Sequence, residues 1–369
     1  VPSPTVKSLF DWTLYFQDHP DGIHLKLVYN AGLFSQPRMK EILNQLIGIL
    51  EQVADDPDLP LHRYSLITHV SKKYLPDPTI LLETPQQETV PTLICRQAEA
   101  FPDHIAIRQG KQIWTYKELV AQTLSLTSTL QKDGLRPGEV VAIGGYPSIG
   151  LVVVLFAVLQ AGGVIMPMDP RIPIHRQRVM LREADARRYV WIGHDPAPDI
   201  SGDGDEEIAF QCIDSETARP TAPGLSEWSG RQGNPLPRYP RPHDPAYIFF
   251  TSGTTGNPKG IRGQHQSLSH FLKWQAETFT IGHGDRVAQF TALSFDAGLR
   301  GIFLPLVSGA TLCLPENQLE LLPDQVISWL DQEGITVLHT VPTVARFWIR
   351  HIPEGISLSR LRWVFFSGE

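Results

Sequence analysis

The stretch Ala246-Tyr247-Ile248-Phe249-Phe250-Thr251-Ser252-Gly253-Thr254-Thr255-Gly256-Asn257-Pro258-Lys259-Gly260 decides how this chain is read. Its opening residues are a short apolar, aromatic-rich run of the kind that forms a strand, and the composition changes abruptly at Thr251. Gly253, Gly256 and Gly260 permit close backbone approach and positive φ, so successive N–H groups can converge on an anion. The hydroxyls of Thr251, Ser252, Thr254 and Thr255 and the ammonium of Lys259 add side-chain donors around it. The spacing is not that of a Walker A loop, because Lys259 lies between Pro258 and Gly260 instead of leading into a Ser or Thr. One reading is a phosphate-binding loop of another kind. The other is a hydroxyl-rich hairpin connection made of ordinary turn residues.

Outward from this stretch, 369 residues with 42% hydrophobic content are enough to bury one large core, and two or three are expected. A net charge of −7 and the lack of a Lys/Arg cluster argue against nucleic acid as a partner. Arg187-Arg188 and Lys72-Lys73 read as solvated surface. Cys95, Cys212 and Cys313 are far apart and each sits among apolar neighbours, so they read as buried thiols of a cytoplasmic protein, with no metal site or disulfide framework. Leu151 to Leu159 is about half of the ~20 residues that a membrane helix needs, so a core helix and no membrane association are expected. Val1 to Lys7 lacks the basic start and apolar core of a signal peptide, and the absence of an initiator Met suggests a fragment.

Taken in order, Phe10 to Phe16 and Leu25 to Tyr29 read as strands of a hairpin turning at Asp18 to Gly22. Ser35 and Pro37 open an amphipathic helix with Met39, Ile42, Leu43, Leu46, Ile47 and Leu50 on one face. His19 and His24 have no visible partner and read as surface or structural. Pro76, Pro78 and Pro85 mark a linker over 69–90. From about Thr92 onward strands alternate with helices of ten or more residues, which predicts an α/β fold with helix-covered, largely parallel sheets. The segment from Asp195 to Asp244 is rich in Pro, Gly, Ser and acidic residues and reads as mobile surface, with Ile208 to Ile213 strand-like. After the glycine-rich stretch a helix is expected from about Gln266 to Phe279, and another from about Gly298 to Val307.

Thr251 to Gly260 resembles, over its whole length, the phosphate loop of the adenylate-forming superfamily, which includes acyl-CoA synthetases, luciferases and the adenylation domains of nonribosomal peptide synthetases. Trp114 to Leu119 and Leu159 to Pro170 resemble the first two core motifs of the adenylation domains, and they read as scaffold, since Gly162 and Gly163 stop a helix and Pro167 and Pro170 end a strand. Residues 1–68, through Tyr29 to Phe34 and on to Leu66, resemble the C-terminal tail of a condensation domain. The expected organisation is therefore a condensation-domain remnant at 1–68, a linker at 69–90, and the N-terminal core of an adenylation domain at 91–369.

The resemblance implies that Thr251, Ser252, Gly253, Thr254, Thr255, Gly256, Lys259 and Gly260 hold the β- and γ-phosphates of ATP, with Mg2+. It also implies that Asp296 receives the ammonium of an amino acid, and that Arg300, His339, Phe365 and Ser367 line its side-chain pocket. Read without the resemblance, Asp296 is a helix cap, Arg300 one turn on neutralises it, and His339 is a satisfied core histidine. The family's catalytic lysine has no counterpart before Glu369, so the 369-residue chain alone is expected to be inactive. Implied partners are the missing C-terminal adenylation subdomain, an upstream condensation domain, a downstream carrier domain bearing phosphopantetheine, and a small MbtH-like protein. The alternatives are an acyl-CoA or fatty acyl-AMP ligase, an enzyme that activates a 2-keto or 2-hydroxy acid, and a noncatalytic platform.

Overall fold

A run with no polar face must be covered on every side, and Ile149–Gln160 is a helix of 12 residues that are all buried. It lies in a chain whose computed structural model describes residues 10–77, 79, 88–193, 198–200, 208–221, 240–252, 258–293, 296–316 and 322–368. The polypeptide divides into two units, Val1–Thr84 and Pro85–Glu369.

In the first unit β1 (Trp12–His19) and β2 (Gly22–Tyr29) pair antiparallel, from Trp12 opposite Tyr29 to His19 opposite Gly22. The helix α1 (Gln36–Asp55) follows from Ser35, with Pro37 in its first turn where the missing N–H costs nothing. Of the apolar stripe expected on α1, Met39 is buried, whereas Ile47 and Leu50 are 41% and 44% exposed. One hairpin offers the helix too little surface to cover the rest. The chain beyond α1 is tied back to it: Gln52 donates to the Ser65 carbonyl at 2.9 Å and accepts from the Ser65 amide at 2.8 Å. Thr68 likewise donates to Glu41.

The second unit runs α2 (Val90–Ala100), β3 (Ile105–Gln109), β4 (Gln112–Thr115), α3 (Tyr116–Lys132), β5 (Val140–Gly145), α4 (Ile149–Gln160) and β6 (Val164–Met168). It continues with α5 (Ile174–Glu183), β7 (Arg188–Ile192), β8 (Ala209–Ile213), β9 (Pro245–Ser252), β10 (Pro258–Gln264), α6 (His265–Thr278) and β11 (Arg286–Ala288). It closes with α7 (Asp296–Ser308), β12 (Thr311–Leu314), α8 (Pro323–Gln332), β13 (Val337–Thr340), α9 (Pro342–Ile349) and β14 (Trp363–Phe366). The strands form two sheets, ordered β10-β9-β6-β5-β7-β8 and β14-β13-β11-β12-β3-β4. Each is parallel except at one edge, where β10 pairs antiparallel with β9 and β4 with β3. The α/β, largely parallel fold read from the sequence is therefore the fold observed.

Parallel strands need crossovers, and the crossover helices supply the core. A single cluster joins Ile94 of α2, Leu119 of α3, all of the apolar residues of α4, and Ile302 to Leu306 of α7 to inward residues of both sheets. On the outer faces, Met180 and Leu181 of α5 cover Met166 and Tyr189, while Val326, Ile327 and Leu330 of α8 cover Cys313 and Leu338. The scaffold motif at 114–119 has a plain mechanical use. Thr115 and Glu118 form a reciprocal capping box on α3, and fully buried Tyr116 places its hydroxyl 2.8 Å from the Ala310 carbonyl and 3.1 Å from that of Pro305, tying α3 to the end of α7. Gly162, at φ +83°, ends the α4 region as its sequence position suggested.

Strand β10 departs from the sequence reading, which ran directly from the glycine-rich stretch into a helix. Pro258, Gly260 and Gly263 all disfavour strands, yet an edge strand tolerates them. A Cβ at Gly263 would lie 2.0 Å from the Tyr247 ring, so only glycine lets that ring cross the hairpin. The described part of 195–244 contains β8 and a turn at 214–217, and the rest of that segment lies outside the described residues. All three cysteines are free, and burial pushes the Cys313 thiol up to about 11.

Asp285, 4% exposed, holds the second sheet's edge together. It accepts from Arg362 at 2.7 and 2.9 Å, from Thr336 at 2.7 Å and from the Gly282 amide at 3.0 Å, joining the approaches to β11, β13 and β14. Replacing a buried, fully bonded carboxylate strands its donors, so Asp285→Ala should cost about 3 kcal/mol in urea unfolding. A loss below about 1 kcal/mol would show that the network is dispensable. Burial also pushes His265 and His339 from 6.5 down to about 4, against the pull of Asp244 on His265 and with that of Arg300 on His339. Between those values the unfolded chain binds protons that the folded one refuses. Stability should therefore fall as pH drops from 6.5 towards 4, each histidine adding a slope of up to ~1.4 kcal/mol per pH unit. His339→Gln should flatten that slope by one proton's worth, and an unchanged slope would refute the assignment.

Candidate functional site

The glycine-rich stretch is a hairpin whose flanks are held and whose tip, 253–257, lies outside the described residues. On one side β9 runs parallel to β6, with Tyr247 opposite Ile165, so Thr251 and Ser252 stand at the carboxyl end of a parallel strand. On the other side Ser252 pairs with Pro258, Thr251 with Lys259 and Phe250 with Gly260. Directly opposed residues of an antiparallel pair share a face, so the Thr251 hydroxyl and the Lys259 ammonium project together. Thr251, Lys259 and Gly260 are exposed, available to a ligand from solvent. The sequence offered a phosphate loop or a hairpin connection, and the flanks show a hairpin geometry that leaves both donors accessible.

The remaining residues gather at the other sheet. Asp296 is the first residue of α7, and its side chain lies outside the described residues. The described residues before it, 289–293, are held in two ways. Gln289 is fully buried and donates to the Thr291 carbonyl at 2.7 Å, and Gly298 lets the first turn of α7 sit against residues 292 and 293, where a Cβ would meet the Ala292 carbonyl at 2.8 Å.

Arg300, one turn along α7, places its guanidinium carbon 4.8 Å from the centre of the Phe271 ring on α6. Four residues on from Phe271, and so on the same helix face, Gln275 contacts the His339 ring, Nε2 to Nε2, at 3.0 Å. His339 and Phe365 are opposite one another in the parallel pair β13–β14, and their rings stack with centroids 5.0 Å apart. Phe279 closes on Phe365 from α6 at 4.7 Å, and the Ser367 amide donates to the Thr340 carbonyl at 3.2 Å. Arg300, His339 and Phe365 are thus brought together, with Ser367 two residues beyond Phe365 at the carboxyl end of β14. The hairpin residues belong to the other sheet.

His339 is 6% exposed, and burial together with the neighbouring Arg300 charge holds it neutral. As a core histidine it is only half satisfied, because Nδ1 has no hydrogen-bond partner among the described residues. The sequence reading missed Phe271, Gln275 and Gln289. A signal for Gln275 exists: it continues the buried stripe His265, Leu268, Leu272 of α6, where a polar side chain needs a partner.

Comparison with known proteins fits this arrangement. The AMP-binding enzyme family matches residues 94–369. Phosphinothricin tripeptide synthetase PhsB of Streptomyces viridochromogenes is 30% identical over 378 residues, covering 99% of this chain and 30% of its own length. L-2-aminoadipate reductase of Schizosaccharomyces pombe is 27% identical over 378 residues, covering 95% of this chain and 26% of its own length. The chain therefore spans less than a third of these relatives. Among solved structures, the nonribosomal peptide synthetase FmoA3 superposes with a TM-score of 0.74 at 20% identity, covering 100% of this chain and 38% of its own, a likeness of fold. With the family matched over most of its length and the fold shared, this chain belongs to the AMP-binding enzymes.

Proposed function

We propose that this chain is the nucleotide- and substrate-binding core of an enzyme that uses ATP to activate an α-amino acid as its aminoacyl adenylate, within a nonribosomal peptide synthetase. The observation that carries this reading is the β9–β10 hairpin, which opposes Thr251 to Lys259 at the carboxyl end of a parallel strand and brackets the glycine-rich tip. Family membership and a relative named as a tripeptide synthetase support it.

In this reading an oxygen of the substrate carboxylate attacks the α-phosphorus of ATP in line, the bond to the bridging oxygen breaks, and pyrophosphate leaves. Thr251, Ser252, Gly253, Thr254, Thr255, Gly256, Lys259 and Gly260 would hold the departing β- and γ-phosphates. Their N–H, hydroxyl and ammonium donors oppose the charge that develops on the leaving group, the usual way such a displacement is assisted. Mg2+ is read as arriving with the triphosphate. Among the described residues no three His, Cys, Asp or Glu converge as a metal site. Asp296 would receive the substrate ammonium, with Arg300, His339, Phe365 and Ser367 around the side chain. The acyl group would then pass to the phosphopantetheine thiol of a carrier domain. A condensation domain, of which residues 1–68 would be the tail, an adenylation subdomain carrying the catalytic lysine, and an MbtH-like protein complete the proposed partners.

Removing the Lys259 charge should slow ATP–pyrophosphate exchange by about one to two orders of magnitude in Lys259→Ala of the full-length protein. An unchanged rate would sink the phosphate assignment. Asp296→Ala leaves a bound ammonium uncompensated, typically at a cost of ~3 to 5 kcal/mol, so most amino-acid activation should vanish. One feature favours a second reading. Arg300 stands one turn along α7 from Asp296, and a guanidinium that neutralises the aspartate would leave room for an acid without an amine. Amino acids assayed beside their 2-keto and 2-hydroxy analogues decide between the two: preference for an analogue, or an Asp296→Ala enzyme as active as the parent, would replace the first reading with the second.

A further inference from the structure

Gln289 is wholly buried one residue beyond β11, and its backbone amide donates to the Cys313 carbonyl at 3.2 Å, so it carries the contact between β11 and β12 one bond further. Its side chain turns along its own segment, where Nε2 donates to the Thr291 carbonyl at 2.7 Å. That bond fixes which way the amide faces. A carbonyl oxygen only accepts, and turning the amide over would set two oxygens 2.7 Å apart. The other end of the amide, Oε1, accepts no hydrogen bond among the described residues. It lies against Gly301 of α7, where a Cβ would stand 1.9 Å from Oε1 and 3.1 Å from Cδ. A methionine would fill the same space without burying an unpaired oxygen, so what the amide contributes is its donor.

Gly298 and Gly301 are three apart on α7 and so share a face, the one turned to residues 289–293. At Gly298 a Cβ would meet the Ala292 carbonyl at 2.8 Å and the Leu293 Cα at 2.9 Å. Neither position has room for a methyl group, whose ordinary contact distance is ~3.5 to 4.0 Å. A methyl at 301 can enter only by swinging the Gln289 amide aside, which breaks its bond to Thr291 at a place closed to solvent. We propose that Gln289 and Gly301 form one positioning unit: the bonded amide sets the path of residues 289–293, the missing side chain lets α7 close on it, and Asp296 is thereby held where it meets the substrate amine. This rests on the amino-acid reading above and adds to it that the unit governs affinity for the amino acid and not for ATP. The hairpin that would hold the phosphates belongs to the other sheet.

Pyrophosphate exchange by the full-length protein, with the α-amino acid and ATP varied in turn, tests it. Gln289→Met keeps the volume and removes the donor, and it should raise KM for the amino acid about tenfold while KM for ATP stays within about twofold of the parent. Gly301→Ala should do the same from the other side of the contact. Because both changes break one bond, and an unbranched thioether can bend round a methyl group, Gln289→Met/Gly301→Ala should be no worse than the poorer single variant. An amino-acid KM unchanged in Gln289→Met, a KM for ATP that rises as far as that for the amino acid, or single effects that multiply in the double variant would each overturn the proposal and leave amino-acid activation standing. Gln289→Met decides the matter even if Gly301→Ala does not fold. No exchange by the parent protein with any α-amino acid would overturn both.

Discussion

Parallel pairing makes strands end together, and every residue proposed to meet a ligand depends on that. In open α/β sheets ligands bind beyond the carboxyl ends of the strands, where loops and helix starts converge. Thr251 and Ser252 end β9, which runs parallel to β6. His339 and Phe365 lie opposite one another near the ends of β13 and β14, and Ser367 follows β14 directly. The loop after β11 delivers Asp296 to the start of α7. Reversing one of these strands would carry its residue to the far edge of the sheet. The buried helices α2, α3, α4 and α7 are what make the parallel arrangement affordable, because they cover both sheets with one core.

Much of this was legible in the sequence, and the parts that were not share a physical cause. The apolar run at 151–159 leaves no doubt about burial, and α4 is buried throughout. The strand and helix alternation gave the α/β class because periodicity reports directly on which face is covered. β10 was invisible because its Pro and Gly residues argue locally against a strand, and only the partner β9 makes one. The incomplete burial of α1 was invisible for a similar reason: a stripe of Met, Ile and Leu says that a face wants cover, not how much cover its unit supplies.

The candidate site divides the same way. Thr251 to Gly260 announces itself by composition, and Asp296, Arg300, His339, Phe365 and Ser367 follow only from resemblance to a family. What the sequence left open was how His339 sits. The structure shows a histidine that is buried, stacked on Phe365 and, among the described residues, bonded at one nitrogen only. A ring in that position is neither a satisfied core residue nor a free base. Burial and the Arg300 charge hold it neutral, and its ring meets Gln275, a residue of α6 that is 64 positions away in the chain. No local pattern encodes that.

Labelled oxygen can follow the proposed bond directly. The full-length protein, given ATP and its α-amino acid substrate with 18O in the α-carboxylate, should release pyrophosphate and AMP carrying one 18O, because the attacking carboxylate oxygen stays on phosphorus when the acyl group departs. Unlabelled AMP, or ADP and phosphate as the only nucleotide products, would contradict adenylate formation by this fold.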